Sequence, residues 1–95
     1  IWVVLDNATG ATLKRAFWMY GQYSRDTRKF VGVDLDKPRT DWVQIAEANS
    51  VKALRCEDSD ELQSCLKTAV AITSPVLISL KTQAFEDYPE GYLED

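Results

Sequence analysis

No histidine occurs among the 95 residues. The side chain that most often serves as general base and as zinc ligand is therefore missing, and a Ser-His-Asp triad within the chain is excluded. Cysteines number only two, too few for a disulfide scaffold. Cys56 and Cys65 match no metal-binding spacing and read as small buried hydrophobes in a reducing compartment. No apolar run approaches the roughly 20 residues of a membrane-spanning helix. No basic-then-apolar N-terminus with a small-residue cleavage site is visible either, so the expected location is cytoplasmic. Cations are in the minority: 11 Lys and Arg stand against 15 Asp and Glu, for a net charge of −4. That balance argues against a sequence-independent nucleic-acid binder, which needs clustered Lys and Arg.

The charge is unevenly spread. Residues 1–40 carry seven basic and four acidic residues, a balance of +3, while residues 41–95 carry four basic and eleven acidic, a balance of −7. An acidic tail accounts for part of this. A basic first part that faces an anion, or acidic groups elsewhere, is the functional reading. The chain also opens at Ile1, without Met, directly inside an apolar run. This reads as a fragment or a processed product of something longer.

Ile1-Trp2-Val3-Val4-Leu5 is a continuous apolar run that suits a strand buried on both faces, as in a parallel sheet. Asn7-Ala8-Thr9-Gly10 is small and polar, hence a tight turn. Thr12 to Tyr20 reads as a helix with Leu13, Ala16, Phe17 and Tyr20 on one face, and Gly21 as its stop. Residues 22–40 lack clear periodicity and read mostly as loop, with Arg25, Arg28 and Lys29 solvated. Asp41 begins a second helix, Gln44 completing a capping box, with Trp42, Ile45, Ala46 and Asn49 as its repeating positions. Val51 to Cys56 reads as a strand. Asp58 caps a third helix with Glu61 three residues on; Leu62, Cys65, Leu66, Ala69 and Val70 form its apolar stripe. Ser74-Pro75 breaks it, and Val76 to Leu80 is the last strand. Trp2, Trp18 and Trp42 are expected in the core or at a subunit interface.

The alternation of strands and helices predicts an α/β, three-layer architecture: about three parallel strands with helices on both faces, half of a doubly wound domain. Residues 1–83 form that half, and residues 84–95 an acidic, aromatic tail. In open α/β sheets ligands bind beyond the carboxyl ends of the strands, which places Asp6, Asn7, Ala8, Thr9, Gly10 and Ala11 at the expected site. Small residues allow close approach, the following helix N-terminus favours an anion such as phosphate, and Asn and backbone carbonyls are hard oxygen donors suited to Mg²⁺ or Ca²⁺. A plain strand-to-helix turn capped by Thr is the alternative.

Val3-Val4-Leu5-Asp6-Asn7-Ala8-Thr9-Gly10-Ala11-Thr12-Leu13 resembles the end of the cofactor motif of thiamine-diphosphate-dependent enzymes, which starts with Gly-Asp-Gly and closes with a strand and Asn-Asn. Asp41-Trp42-Val43-Gln44-Ile45-Ala46-Glu47-Ala48, Val51-Lys52-Ala53-Leu54-Arg55 with the capped helix from Asp58, and Ser74-Pro75-Val76-Leu77-Ile78 resemble later segments of the same family in the same order. The branch most similar contains benzoylformate decarboxylase, benzaldehyde lyase and acetolactate synthase. The resemblance implies the second half of a C-terminal cofactor-binding domain. It implies thiamine diphosphate and Mg²⁺ as cofactors, with the Asn7 side chain and the Thr9 carbonyl as metal ligands. It also implies Leu13 and Phe17 as part of the substrate-pocket wall; core packing is the other reading of those two. The implied activity is decarboxylation of a 2-oxo acid, or joining of the resulting fragment to an aldehyde. Neither Gly-Asp-Gly nor the family's catalytic Glu is found here, so no catalytic residue is assigned and the isolated chain is expected to be inactive. The remaining domains of a parent enzyme and a homo-oligomer, dimer or tetramer, are the implied partners, with no nucleic acid and no membrane.

Two other readings stay open at this point. One is a flavodoxin-like module that holds flavin mononucleotide at Thr9-Gly10-Ala11-Thr12, although such carriers use five parallel strands and only three are countable. The other is a cofactor-free interaction domain acting through Glu86, Asp87, Glu90, Glu94 and Asp95 with Phe85, Tyr88 and Tyr92. That tail also reads as a solvated terminus or, by the resemblance, as a lid over an active site.

Overall fold

The computed structural model describes residues 1–83. The elements run β1 (Trp2–Asp6), α1 (Ala11–Tyr20), α2 (Gln22–Thr27), α3 (Trp42–Ala48), β2 (Lys52–Cys56), α4 (Ser59–Val70) and β3 (Val76–Lys81). The tail expected to act as a terminus, lid or interaction segment lies outside the described residues. The chain divides into two compact units, one of residues 1–6 with 41–82 and one built on residues 7–40.

The first unit is a three-stranded, fully parallel sheet in the order β1-β3-β2. Side chains alternate across it, as strand geometry requires. Cys56, Val76 and Ile78 are buried on one face, where Ala69 of α4 closes over them and Leu54, Leu62, Cys65, Ile72 and Leu80 pack around the edge. Helix α3 packs on β2 and β3 through Val43 and Ala46, which stand apart from that cluster. Right-handed crossovers put it on the opposite face. The α/β reading with helices on both sides of a parallel sheet therefore holds.

The reading of β1 as a strand buried on both faces does not. Trp2 is 75% exposed and Leu5 67%. β1 pairs with β3 along one edge only, and the helices of this unit pack on β2 and β3. Apolar composition reports what a strand can bury, and here Trp2, Val3 and Leu5 stay exposed. Trp2 is accordingly not a core residue, whereas Trp18 is and Trp42 is half-buried.

The helix caps follow the sequence closely. Asp41 accepts from the Gln44 amide at 3.1 Å and Asp58 from the Glu61 amide at 2.8 Å. Glu61 in turn accepts from the Glu57 amide at 2.7 Å. Arg55 donates to both Asp41 oxygens, at 2.9 and 2.8 Å. That guanidinium, with the Gln44 amide, holds the Asp41 carboxyl below its ordinary pKa.

The end of α3 departs from the usual chemistry. The Ser50 amide donates to Glu47 and the Val51 amide to Ala46, the two bonds of a Schellman motif, with Ser50 at φ +59°. Glycine normally takes that position because it bears no Cβ penalty there. Ser50→Gly should raise stability by about 1 kcal/mol, read as a higher urea midpoint; an unchanged or lower midpoint would refute it.

The apolar stripes of two helices are rotated from the expected faces. In α3 the buried positions are Val43 and Ala46, and Ile45 is 46% exposed. In α1 the buried residue is Trp18, while Leu13, Phe17 and Tyr20 are all exposed. Trp18 stacks on Phe30 with ring centroids 6.4 Å apart, and Val33 completes this second core. A bulky indole with a facing aromatic partner outweighs a stripe that has none in its own unit.

Residues 22–27, read as loop, form α2. Its sequence Gln-Tyr-Ser-Arg-Asp-Thr is short and polar, so no apolar period announces it. Arg25 holds it in place by donating to the carbonyls of Trp18 and Met19 at the end of α1. Arg28 is likewise not simply solvated: its guanidinium lies 4.4 Å from the Trp18 ring centroid.

Candidate functional site

β1 runs in the chain directly into Asn7-Ala8-Thr9-Gly10, and α1 starts at Ala11. The turn is built from its own side chains. Asn7 Oδ1 accepts the Thr9 amide at 3.3 Å, an Asx-turn. Ala8 sits at φ +55°, a conformation unfavourable for a residue with a Cβ. Strain of this kind persists only where surrounding structure over-determines it.

That surrounding structure is the segment Val33-Asp34-Leu35. The Gly10 amide donates to the Val33 carbonyl at 2.9 Å and the Leu35 amide to the Ala8 carbonyl at 2.7 Å. Thr9 and Asp34 thus face each other as an antiparallel bridge. Thr9 Oγ1 donates to Asp34 Oδ1 at 3.1 Å, and Lys14 Nζ, one turn into α1, donates to both Asp34 oxygens at 2.9 and 3.1 Å. The same ammonium lies 4.7 Å from the Phe30 ring centroid. Thr9 is buried to 8% exposure as a result.

Asp34 and Lys14 were not legible as site residues. Asp34 stands in a stretch without clear periodicity and is brought to the turn by an isolated bridge rather than a strand. Asp34→Ala should cost about 1 kcal/mol, since the carboxylate is partly exposed, and should speed hydrogen exchange at the Thr9 and Gly10 amides. Asp34→Asn, which keeps an oxygen for Thr9, should do so less. Equal exchange in all three chains would dismiss the clamp.

The arrangement can present oxygen donors and backbone N–H groups to an anion with its counter-cation. An amide oxygen has two lone pairs, so Asn7 Oδ1 keeps one beyond its bond to Thr9. The Thr9 amide is committed to Asn7 and its hydroxyl proton to Asp34, so the oxygens it can offer are its carbonyl and the hydroxyl lone pairs. Helix α1 carries no side-chain cap at Gly10 and no acidic residue in its first turn. The expected Thr cap is therefore absent, and the first-turn N–H groups suit an anion. Donor type fits a hard cation, but donor number does not suffice. Among the described residues no three His, Cys, Asp or Glu side chains come together to hold a metal. Leu13 lies beside Gly10, where a Cβ would meet its Cδ1 at 3.5 Å, and it and Phe17 face away from the core.

Residues 1–80 match the family model described as thiamine pyrophosphate enzyme, C-terminal TPP binding domain. The chain belongs to this family. Thiamine diphosphate is thus the cofactor of the matched domain, and the match takes in the turn on which the flavodoxin-like reading rested. The chain is also 33% identical over 86 residues to benzoylformate decarboxylase of Pseudomonas aeruginosa. That alignment covers 90% of this chain but 15% of the relative. No solved structure matches the chain. Among the described residues, no helix of this thiamine pyrophosphate enzyme domain is long and apolar enough to cross a membrane.

Proposed function

We propose that the chain is part of a thiamine-diphosphate- and Mg²⁺-dependent 2-oxo-acid decarboxylase or carboligase, and that the turn at residues 6–11 contributes part of the diphosphate–metal site. The observation that carries this is the clamped turn: Asn7 and Thr9 are held by named partners in a loop with a strained Ala8, directly before an uncapped helix N-terminus. When bound, the cofactor supplies the nucleophilic carbon and the electron sink for decarboxylation. The residues of this chain bind and orient. Asn7 Oδ1 and the Thr9 carbonyl would serve as oxygen ligands to Mg²⁺, the α1 N–H groups would receive a phosphate, and Lys14 with Asp34 would keep the turn in register. Leu13 and Phe17 would form part of the wall against which a small 2-oxo acid or aldehyde packs.

The relative named benzoylformate decarboxylase favours the decarboxylase side of this reading, with lyase rather than transferase chemistry. The third ligand, the acid that activates the cofactor and the rest of the pocket would come from other domains in a cytoplasmic homo-oligomer, so the 95 residues alone would not turn over substrate. The experiment is titration with thiamine diphosphate and Mg²⁺, followed by thermal melting, of this chain and of a chain extended upstream through a Gly-Asp-Gly motif. Stabilisation of the extended chain only, abolished by Asn7→Ala, is the expected result. No response from either chain would defeat the proposal, and decarboxylation by the 95 residues alone would defeat its last part.

A further inference from the structure

The two thiols of the sheet unit meet at the carboxyl end of β2. Cys56 is the last residue of that strand, 1% exposed, and its Sγ donates to the Asp58 carbonyl at 3.1 Å. Cys65 lies in the second turn of α4, packed against the cluster that contains Cys56. Its Sγ donates to the Arg55 carbonyl at 3.4 Å, on the peptide that leads into Cys56. Both sulfurs are therefore held against the same stretch of backbone, as free thiols. They differ in access. Cys65 is half-buried and lines an open depression of about 590 Å³ with Arg55, Glu57, Asp60, Glu61 and Ser64. Cys56 is buried and does not line it. Burial, and then the adjacent Cys65 thiol, push the Cys56 thiol up, which keeps it protonated and unreactive on its own.

We propose that Cys56 and Cys65 form a redox modification site, which a peroxide closes to a disulfide between β2 and α4. The reaction is a two-electron oxidation with hydrogen peroxide as oxidant. The Cys65 thiolate attacks one peroxide oxygen, the O–O bond breaks, and hydroxide leaves and takes up the proton that Cys65 released. Cys65 is then a sulfenic acid. The Cys56 sulfur attacks the Cys65 sulfur, the S–O bond breaks, and the departing hydroxide takes the Cys56 proton as a second water. Two thiols and one peroxide give one disulfide and two waters. Three carboxylates line the depression, so a neutral or cationic oxidant enters more readily than an anionic one. The eight residues between the cysteines close a short ring, and the joined elements already pack on each other.

The site is independent of the cofactor reading, and its test needs only the 95-residue chain. The chain is treated with hydrogen peroxide, its remaining thiols are alkylated, and it is weighed intact. The expected product has lost both alkylatable thiols and two hydrogens, and cleavage at Glu57 or Glu61 leaves the two halves joined until reduction. Cystamine, a cationic disulfide, should close the pair faster than oxidised glutathione, which is anionic. Cys56→Ser should stop at a Cys65 sulfenic acid that dimedone traps, and Cys65→Ser should leave Cys56 untouched. Two thiols that stay alkylatable after peroxide would overturn the proposal, as would a Cys65 sulfinic acid or disulfides only between chains. Cystamine no faster than glutathione would overturn the part played by the acidic depression.

Discussion

Trp18→Ala is expected to cost residues 7–40 about 3–5 kcal/mol and to leave them without a core. Trp18 is 3% exposed, and the cluster it forms with Phe30 and Val33 is small. Its ring also carries Arg28, the C-cap of α2, so the loss reaches α2 as well as α1. The consequence for the turn is direct. Val33 and Leu35, which hold Gly10 and Ala8, are positioned by the segment that Phe30 and Val33 anchor. Exchange protection at Gly10 and Leu35 should disappear, while that of β3 persists. Trp18→Phe should lose far less, because it keeps an aromatic partner for Phe30 and removes an indole Nε1 that is buried without a hydrogen-bond partner among the described residues. A Trp18→Ala chain with unchanged protection at Gly10 would show that the turn stands without this core.

Ile78→Ala should be the corresponding lesion in the sheet unit, at about 3–4 kcal/mol. Ile78 is fully buried on the central strand, in contact with the cluster that α4 closes. Removing three carbons there leaves a cavity bounded by two neighbouring strands and a helix, which cannot collapse into it easily. Ile78→Val should cost about 1 kcal/mol by the same reasoning. Leu5→Ala is the control. At 67% exposure its side chain has little to lose, and the change should stay below about 1 kcal/mol. Urea denaturation of the three chains decides the matter. A Leu5 effect as large as that of Ile78 would mean that β1 is covered in solution.

The candidate turn shows how far residue patterns reach. Asn7-Ala8-Thr9-Gly10 between an apolar run and a helix is recognisable because its types and order are local, and so is the internal bond from Asn7 to Thr9. The partner Asp34 is 25 positions from Thr9. No local rule couples two such positions, and the isolated bridge that joins them is too short to leave an alternating pattern. Ala8 and Ser50 are misleading in the opposite direction. Each sits at a positive φ that favours glycine, so the reader of the sequence sees no sign of the conformation that the fold imposes.

The sequence by itself determined the strands, the long helices and the N-caps of α3 and α4. Apolar runs, Asp41 with Gln44 and Asp58 with Glu61 act through neighbours within four residues, and such interactions keep their meaning wherever the segment lies. It also carried the family, since four segments in fixed order survive compression into types and spacings. Only the tertiary structure decided which faces are buried. α1 turns Trp18 inward and leaves Leu13 and Phe17 outward; β1 stays exposed although it reads as buried; Arg25 and Arg28 cease to be a solvated loop. Periodicity states that a face is apolar. Whether that face is filled depends on which surface is opposite it, and that surface is supplied by residues distant in the chain.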